Sequence, residues 1–225
     1  MSDKKNERAN FFSTVYRDNL WQGRESKSGQ GSDIASTQDL ANALPIILRQ
    51  LDIKSLLDVP CGDFHWMRIV DLVGAMYIGG DIVPDLIRRN NELHGSPTRT
   101  FQVIDLVKDQ LPKVDMVFVR DCLIHFTNEL VTEALHNIVR SGSKYVCLTN
   151  DLNPNRFPNR ENIELDRAVN GVNFEYRPNC FELPPFSFPA ALVTMSDGSA
   201  WDAWNGIKAM CVWEVESVRL ALTRA

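Results

Sequence analysis

Apolar residues in this chain fall in short continuous runs, and the stretches between several of these runs have helical spacing. Residues 55–59, 76–82, 100–106, 115–119 and 144–149 are such runs, rich in Leu, Val, Ile and Phe. Their length and flanking polar residues predict buried strands. Residues 63–73, 84–94 and 128–139 read as the intervening helices. Pro84 stands at a first helical position. Leu130, Val131, Ala134, Leu135, Ile138 and Val139 line one face of the last helix, which Gly142 closes. Upstream, residues 37–51 place Leu40, Ala43, Leu44, Ile47, Leu48 and Leu51 at a helical period; Pro45 demands a kink or opens a second helix. Continuous runs alternating with helices mean parallel strands covered on both faces. The prediction is a doubly wound α/β sheet.

The alternation stops after Asp151. Residues 154–189 hold six of the eleven prolines and little periodicity. Their aromatics, among them Phe157, Phe174, Tyr176 and Phe181, predict an ordered cap. Residues 191–195 and 207–218 read as two strands joined by an eleven-residue turn, short enough to pair them antiparallel. The expected architecture is a Rossmann-like, mostly parallel seven-stranded sheet with an antiparallel last strand. The first ten residues read as a frayed charged tail, and residues 11–31 as scattered aromatics followed by a Ser/Gly-rich connector. The chain divides into an N-terminal arm or helical lid (1–52), a core (53–151), a Pro-rich insertion (152–190) and a closing strand pair (191–218) of a single domain.

Composition narrows the class. The 225 residues are 44% apolar, enough for one sizeable core. No apolar run approaches the ~18 residues of a membrane span. The polar N-terminus lacks the apolar stretch of a secretory signal. Five cysteines without a Cys-x-x-Cys pair argue against disulfide scaffolds and zinc ribbons and suit a reducing cytoplasm. No His or Cys grouping suggests a metal. Twenty-four Lys and Arg against 29 Asp and Glu give a net charge of −5, which disfavours duplex nucleic acid as a partner.

The chemistry is expected at three acids. Asp58, Asp81 and Asp105 end three successive strands at spacings of 23 and 24 residues, about one strand-plus-helix unit each. In an open parallel sheet those strand ends line one edge, where ligands bind. The first loop, PCGDFH over residues 60–65, holds one glycine of the three that a dinucleotide fingerprint requires. Asp63 stands where pyrophosphate oxygens would sit. No P-loop signature follows. The loop suits a nucleoside without phosphates.

Four segments resemble class I S-adenosylmethionine-dependent methyltransferases. LLDVPCGDF over residues 56–64 is similar to motif I of that family, with Pro60 and Phe64 where glycines are common. YIGGDI over 77–82 resembles the second motif, VIDL over 103–106 the third, and DMVFVRDCLIHF over 115–126 the fourth strand and its loop. The resemblance implies S-adenosylmethionine as cofactor. It implies that Asp81 accepts from the ribose diol, that Asp105 meets the adenine amine, and that Ile82 and Leu106 sandwich the ring. Pro60, Cys61 and Gly62 would bring backbone to the amino-acid part of the cofactor, Asp58 orienting that loop. Arg120 would reach the carboxylate or the substrate. The stretch 16–32 is expected to close over the cofactor, with Trp21 contacting it and Arg24 donating to its carboxylate; Trp201 and Trp204, in the turn between the last two strands, would wall the acceptor pocket or cover the sheet edge.

Methyl transfer needs a base only when the acceptor is a hydroxyl or a protonated amine. Asp121 and His125, just past the fourth strand, are the candidates. No Asn-Pro-Pro-Tyr tetrad follows that strand, so an O or N atom of a small-molecule acceptor, such as a metabolite, sugar or natural-product intermediate, is the expected target. A protein-modifying methyltransferase, a non-catalytic nucleoside-binding module and a dinucleotide oxidoreductase are the alternatives.

Overall fold

The computed structural model describes residues 2–165, 168, 171–197 and 208–224. Strands β1 (Ser55–Asp58), β2 (Met76–Asp81), β3 (Arg99–Val103), β4 (Met116–Val119) and β5 (Tyr145–Asp151) pair in parallel. With β6 (Val193–Ser196) and β7 (Lys208–Glu214) they make one sheet of order β3-β2-β1-β4-β5-β7-β6. β7 runs antiparallel between β5 and β6, as the sequence predicts. Helices α2 (Ile34–Gln50) and α3 (Pro84–His94) cover one face, and α4 (Asn128–Arg140) and α5 (Val215–Leu222) cover the other.

The runs are continuous because both faces of the central strands are buried. Along β4, Met116 and Phe118 pack towards α2, and Val117 and Val119 towards α4. α2 buries Leu40, Leu44 and Leu48, each worth roughly 1.5–3 kcal/mol of burial. Pro45 lies within α2 without dividing it. The Thr127 hydroxyl caps α4 by accepting the Leu130 N–H. The insertion is ordered around Phe181, Phe186 and Phe188, which stack against one another and Trp213. Among the described residues, no helix is long and apolar enough to cross a membrane, and no His, Cys, Asp or Glu grouping fits a metal.

Four expectations need correction. The charged N-terminus is not a frayed tail but part of α1 (Ser2–Arg17). Lys5, Arg8, Phe12 and Val15 follow a helical spacing. Lys5 pairs with Asp109 at 2.5 Å, and Arg8, 2% exposed, pairs with the equally buried Asp105. An apolar pattern could not reveal this helix, because charge anchors half of its docking face. Residues 63–73 do not form a helix; a single 3-10 turn, Met67–Ile69, interrupts irregular backbone. Asp63, the natural cap, is engaged by the N-terminal arm, and Phe64 and Val73 have positive φ. Residues 215–218 belong to α5 rather than to the last strand: Val215, Val218 and Ala221 recur at helical spacing on the buried side. The first closing strand begins later than expected, at Val193, and the second is described from Lys208. Most of the turn between them, with Trp201 and Trp204, lies outside the described residues.

Replacing Arg8 by Met should test how α1 is held. It would leave Asp105 buried without its counter-charge, a loss of about 3–5 kcal/mol. Urea unfolding should show it; a loss below about 1 kcal/mol would mean that the ion pair does not anchor α1.

Candidate functional site

β1 has β2 on one side and β4 on the other, so the chain leaves the sheet in opposite directions at this point. Such switch points open a crevice at the carboxyl ends of the strands. Here it is a cavity of about 820 Å³, in the upper part of the ~300–1,000 Å³ range of small-molecule sites. All the residues expected at the site line it, with one exception.

The β1 and β2 ends form a half rich in acids and glycine. Burial pushes the Asp81 carboxyl up to about 6, opposed by the N–H groups of Val83, Gly62 and Ile82. Its oxygens accept from Gly62 at 3.2 Å and Val83 at 3.0 Å. It has no ion-pair partner among the described residues. Burial also pushes Asp58 up to about 7, while the Tyr77 hydroxyl, donating at 2.6 Å, and Arg120 favour its charged form. Gly62 has φ +54°, and a Cβ there would lie 2.4 Å from the Ser28 Oγ. Only glycine lets the arm pack on this loop. Ile82, Val83, Leu86, Ile104 and Leu106 supply apolar walls. Asp105 accepts from Arg8 and from the Val107 N–H.

The N-terminal arm lies over this half. The Ser26 hydroxyl and the Lys27 N–H donate to the Asp63 carboxylate, and the Asp63 N–H donates to Ser28. Asp63, read from sequence as a barrier to phosphate, is thus the arm's docking point. Trp21 donates its indole N–H to the Phe174 carbonyl at 3.0 Å and stacks on His125 with centroids 5.4 Å apart. It ties arm, β4 loop and cap together. Arg24 is the exception: it is exposed and outside the cavity lining. Asn19 and Gly23 bond to each other across a turn just before it, and the arm's inward contacts are made by Trp21, Ser26 and Ser28 instead.

At the β4 end four charges interlock. Arg120 grips Asp197 through Nε at 2.7 Å and Nη2 at 3.2 Å, and donates to the Gly31 carbonyl at 2.9 Å. Lys208 reaches Asp121 at 2.7 Å and Asp197 at 2.6 Å. Burial opposes the charged form of Asp121, but Lys208 and Arg120 outweigh it and hold the carboxyl well below the usual range. Burial likewise works against the Arg120 charge, and Asp197 and Asp121 overcome it and raise its pKa.

His125 is different. Burial lowers its pKa, and the ring Nδ1 lies 3.0 Å from the Glu175 carbonyl. A carbonyl only accepts, so Nδ1 carries the proton in the neutral ring and Nε2 holds the lone pair. The Asn173 backbone also bonds the ring and favours its charged form, and the side chain lines the cavity. The arrangement can hold a diol at Asp81 and take up a proton at His125. Arg8, Arg156, Tyr176 and Lys208 also line the cavity. They come from α1, the cap and β7, and no local pattern places their side chains at this edge; Tyr16 and Ser28, within the stretch expected over the cofactor, line it too.

No protein-family model and no curated protein matches the sequence. Solved structures do. Magnesium protoporphyrin IX methyltransferase from Synechocystis PCC 6803 with bound SAH is similar over 65% of this chain and 71% of that one, at 17% identity and a TM-score of 0.50. Human N-acetylserotonin methyltransferase in complex with SAM is similar over 89% of this chain, at 14% identity and a TM-score of 0.58. This chain spans 57% of that protein's length. At these identities the likeness is one of fold, and the fold is that of the class I S-adenosylmethionine-dependent methyltransferases.

Proposed function

We propose that this chain binds S-adenosylmethionine and methylates an oxygen or nitrogen atom of a small-molecule acceptor, with His125 as general base. The observation that carries this reading is the pairing of two groups in one cavity. Asp81 is a buried carboxyl with hydrogen-bonding capacity to spare and no cation beside it. His125 is a buried imidazole whose pKa burial lowers, and its ring lines the same cavity.

The donor set fits the cofactor. Asp81 accepts from Gly62 on one oxygen and Val83 on the other, with the Ile82 N–H also favouring its charge, and a carboxylate's roughly four acceptor sites leave room for the ribose diol. Ile82 and Leu106 wall a slot for a flat base, and Gly62 keeps the loop clear of a Cβ. Bound there, S-adenosylmethionine would supply a methyl group on a positively charged sulfur. The protein's part is then positioning and proton removal.

The two candidate bases divide the work. Asp121 stays ionised, locked to Lys208 and Thr149, and its depressed pKa makes it a poor proton acceptor. Its charge favours a proton arriving on His125. The Glu175 carbonyl fixes the ring tautomer, and Trp21 fixes its plane. Environments that push two neighbouring titratable groups apart assign base and electrostatic support in this way. Trp21 and the docked arm shield the reacting centre from water.

Binding should be selective. S-adenosylmethionine or S-adenosylhomocysteine at ~100 times its dissociation constant should stabilise the protein by about 2.7 kcal/mol in a thermal-shift assay, and NAD and NADP should not. Asp81→Asn should weaken binding by roughly tenfold or more, as the charged hydrogen bonds are lost. Because a protonated Asp81 cannot accept from both hydroxyls, wild-type affinity should fall as pH drops through about 6. A thermal shift with NAD alone would remove the methyltransferase reading.

His125→Gln should lower kcat by about 10²–10⁴-fold while S-adenosylhomocysteine affinity, measured by calorimetry, stays within about twofold. The acid limb of the wild-type rate profile should lie below the ordinary histidine value of 6.5, since burial favours the neutral ring. An unchanged kcat in this variant would exclude His125 as the base.

A further inference from the structure

Among the described residues four Lys and Arg side chains line the cavity, and they are not equivalent. Arg8 is 2% exposed, Arg120 4% and Lys208 10%, each against one or two buried carboxylates. Arg156, from the cap, is 25% exposed. Its Nη1 donates to Asp151 at 2.7 Å, and Asp151 is itself 1% exposed. Asp151 ends β5, the strand next to β4, so this pair stands on the far side of His125 from the nucleoside half. The Asp151 carboxylate also accepts the Asn153 N–H at 2.9 Å and lies 3.5 Å from the Tyr176 hydroxyl. It is therefore well satisfied, and it holds Arg156 in place.

A guanidinium has five N–H donors. Among the described residues, Arg156 engages Asp151 and the Tyr176 hydroxyl, which leaves donors for the cavity it lines. Around it the rim carries large apolar groups that a solvated surface does not need. Phe174 is 41% exposed, Tyr176 46% and Leu20 41%, and Trp21 stands beside them over His125. Exposed apolar groups gathered around a concave site mark a binding surface. Glu175, on the same rim, contributes its backbone carbonyl to His125.

We propose that the acceptor is a flat aromatic molecule bearing a carboxylate, its ring against Trp21, Phe174 and Tyr176 and its carboxylate on Arg156. This rests on the methyltransferase reading given above and names the substrate class of that site. A guanidinium fork matches either anion; the single charge of a carboxylate suits one such cation, whereas a phosphate's charge of about −1.5 to −2 calls for a second, and Lys208 faces two carboxylates already. Placement at the β5 end, next to β4, would set a hydroxyl or amine on the same ring on the His125 side of the cavity.

Trp21 provides the readout. With the protein saturated by S-adenosylhomocysteine, hydroxybenzoates should quench tryptophan fluorescence at least tenfold more tightly than the corresponding hydroxybenzamides. Aliphatic hydroxy acids should bind more weakly than either. Arg156→Gln should abolish the preference for carboxylate over carboxamide and leave S-adenosylhomocysteine affinity within about twofold. Equal binding of acid and amide by the wild-type protein would overturn the proposal without any variant, as would a preference that survives in Arg156→Gln. Tighter binding of phenyl phosphate than of the benzoates would overturn it in favour of a phosphate site. If S-adenosylhomocysteine itself fails to bind, the methyltransferase reading falls; if it binds and the acid preference is absent, only the acceptor assignment falls.

Discussion

The buried lattice of Arg120, Asp197, Lys208 and Asp121 holds the functional edge of this molecule together. Two cations and two anions alternate at 2.6–2.7 Å along its principal contacts, so charge taken out of water is neutralised within the group. Its members come from the ends of β4 and β6 and the start of β7. Only a reversed β7 makes this possible. An antiparallel strand begins where its parallel neighbours finish, and Lys208 accordingly lies opposite Asp151 in the β5–β7 register. A parallel last strand would place that ammonium at the opposite edge of the sheet. Removing one member of such a group leaves an uncompensated charge, which is far costlier than replacing the whole set by apolar residues.

The same lattice shapes the site. Arg120 reaches the Gly31 carbonyl and so pins the arm at one point, while Asp63 pins it at another through Ser26 and Ser28. Trp21 is the third, bridging to Phe174 and His125. An arm held at three places roofs the cavity without a regular element of its own. Asp121, committed to Lys208, is thereby fixed as an anion beside His125. The division of roles proposed for the two groups rests on which of them has a cation at contact distance.

Much of the fold was legible in the sequence, for a definable reason. Strands buried on both faces make continuous apolar runs, and α4 shows its buried stripe at helical spacing. Pro84 opens α3 where its missing N–H has no helical bond to lose. The acids Asp58, Asp81 and Asp105 stood out because spacings of 23 and 24 residues bring them to successive strand ends, although the link from Asp58 to Asp81 holds no α-helix. The failures were equally physical. α1 docks through Arg8 and Lys5 rather than through an apolar stripe, and residues 63–73 bury Phe64, Trp66, Met67 and Val70 without forming a helix.

By itself the sequence determined the parallel sheet, its reversed last strand and the acids at one edge, because periodicity and strand-end spacing are local properties of the chain. Tertiary structure decided which charges meet. Arg8 and Asp105 are 97 residues apart, Arg120 and Asp197 are 77 apart, and Asp121 and Lys208 are 87 apart. Pairs so distant leave no mark on a local pattern, yet they hold Asp121 as an anion beside His125 and, among the described residues, leave Arg156 the most exposed Lys or Arg of the cavity. Coulomb energy depends on separation in space and on burial, and the fold supplies both.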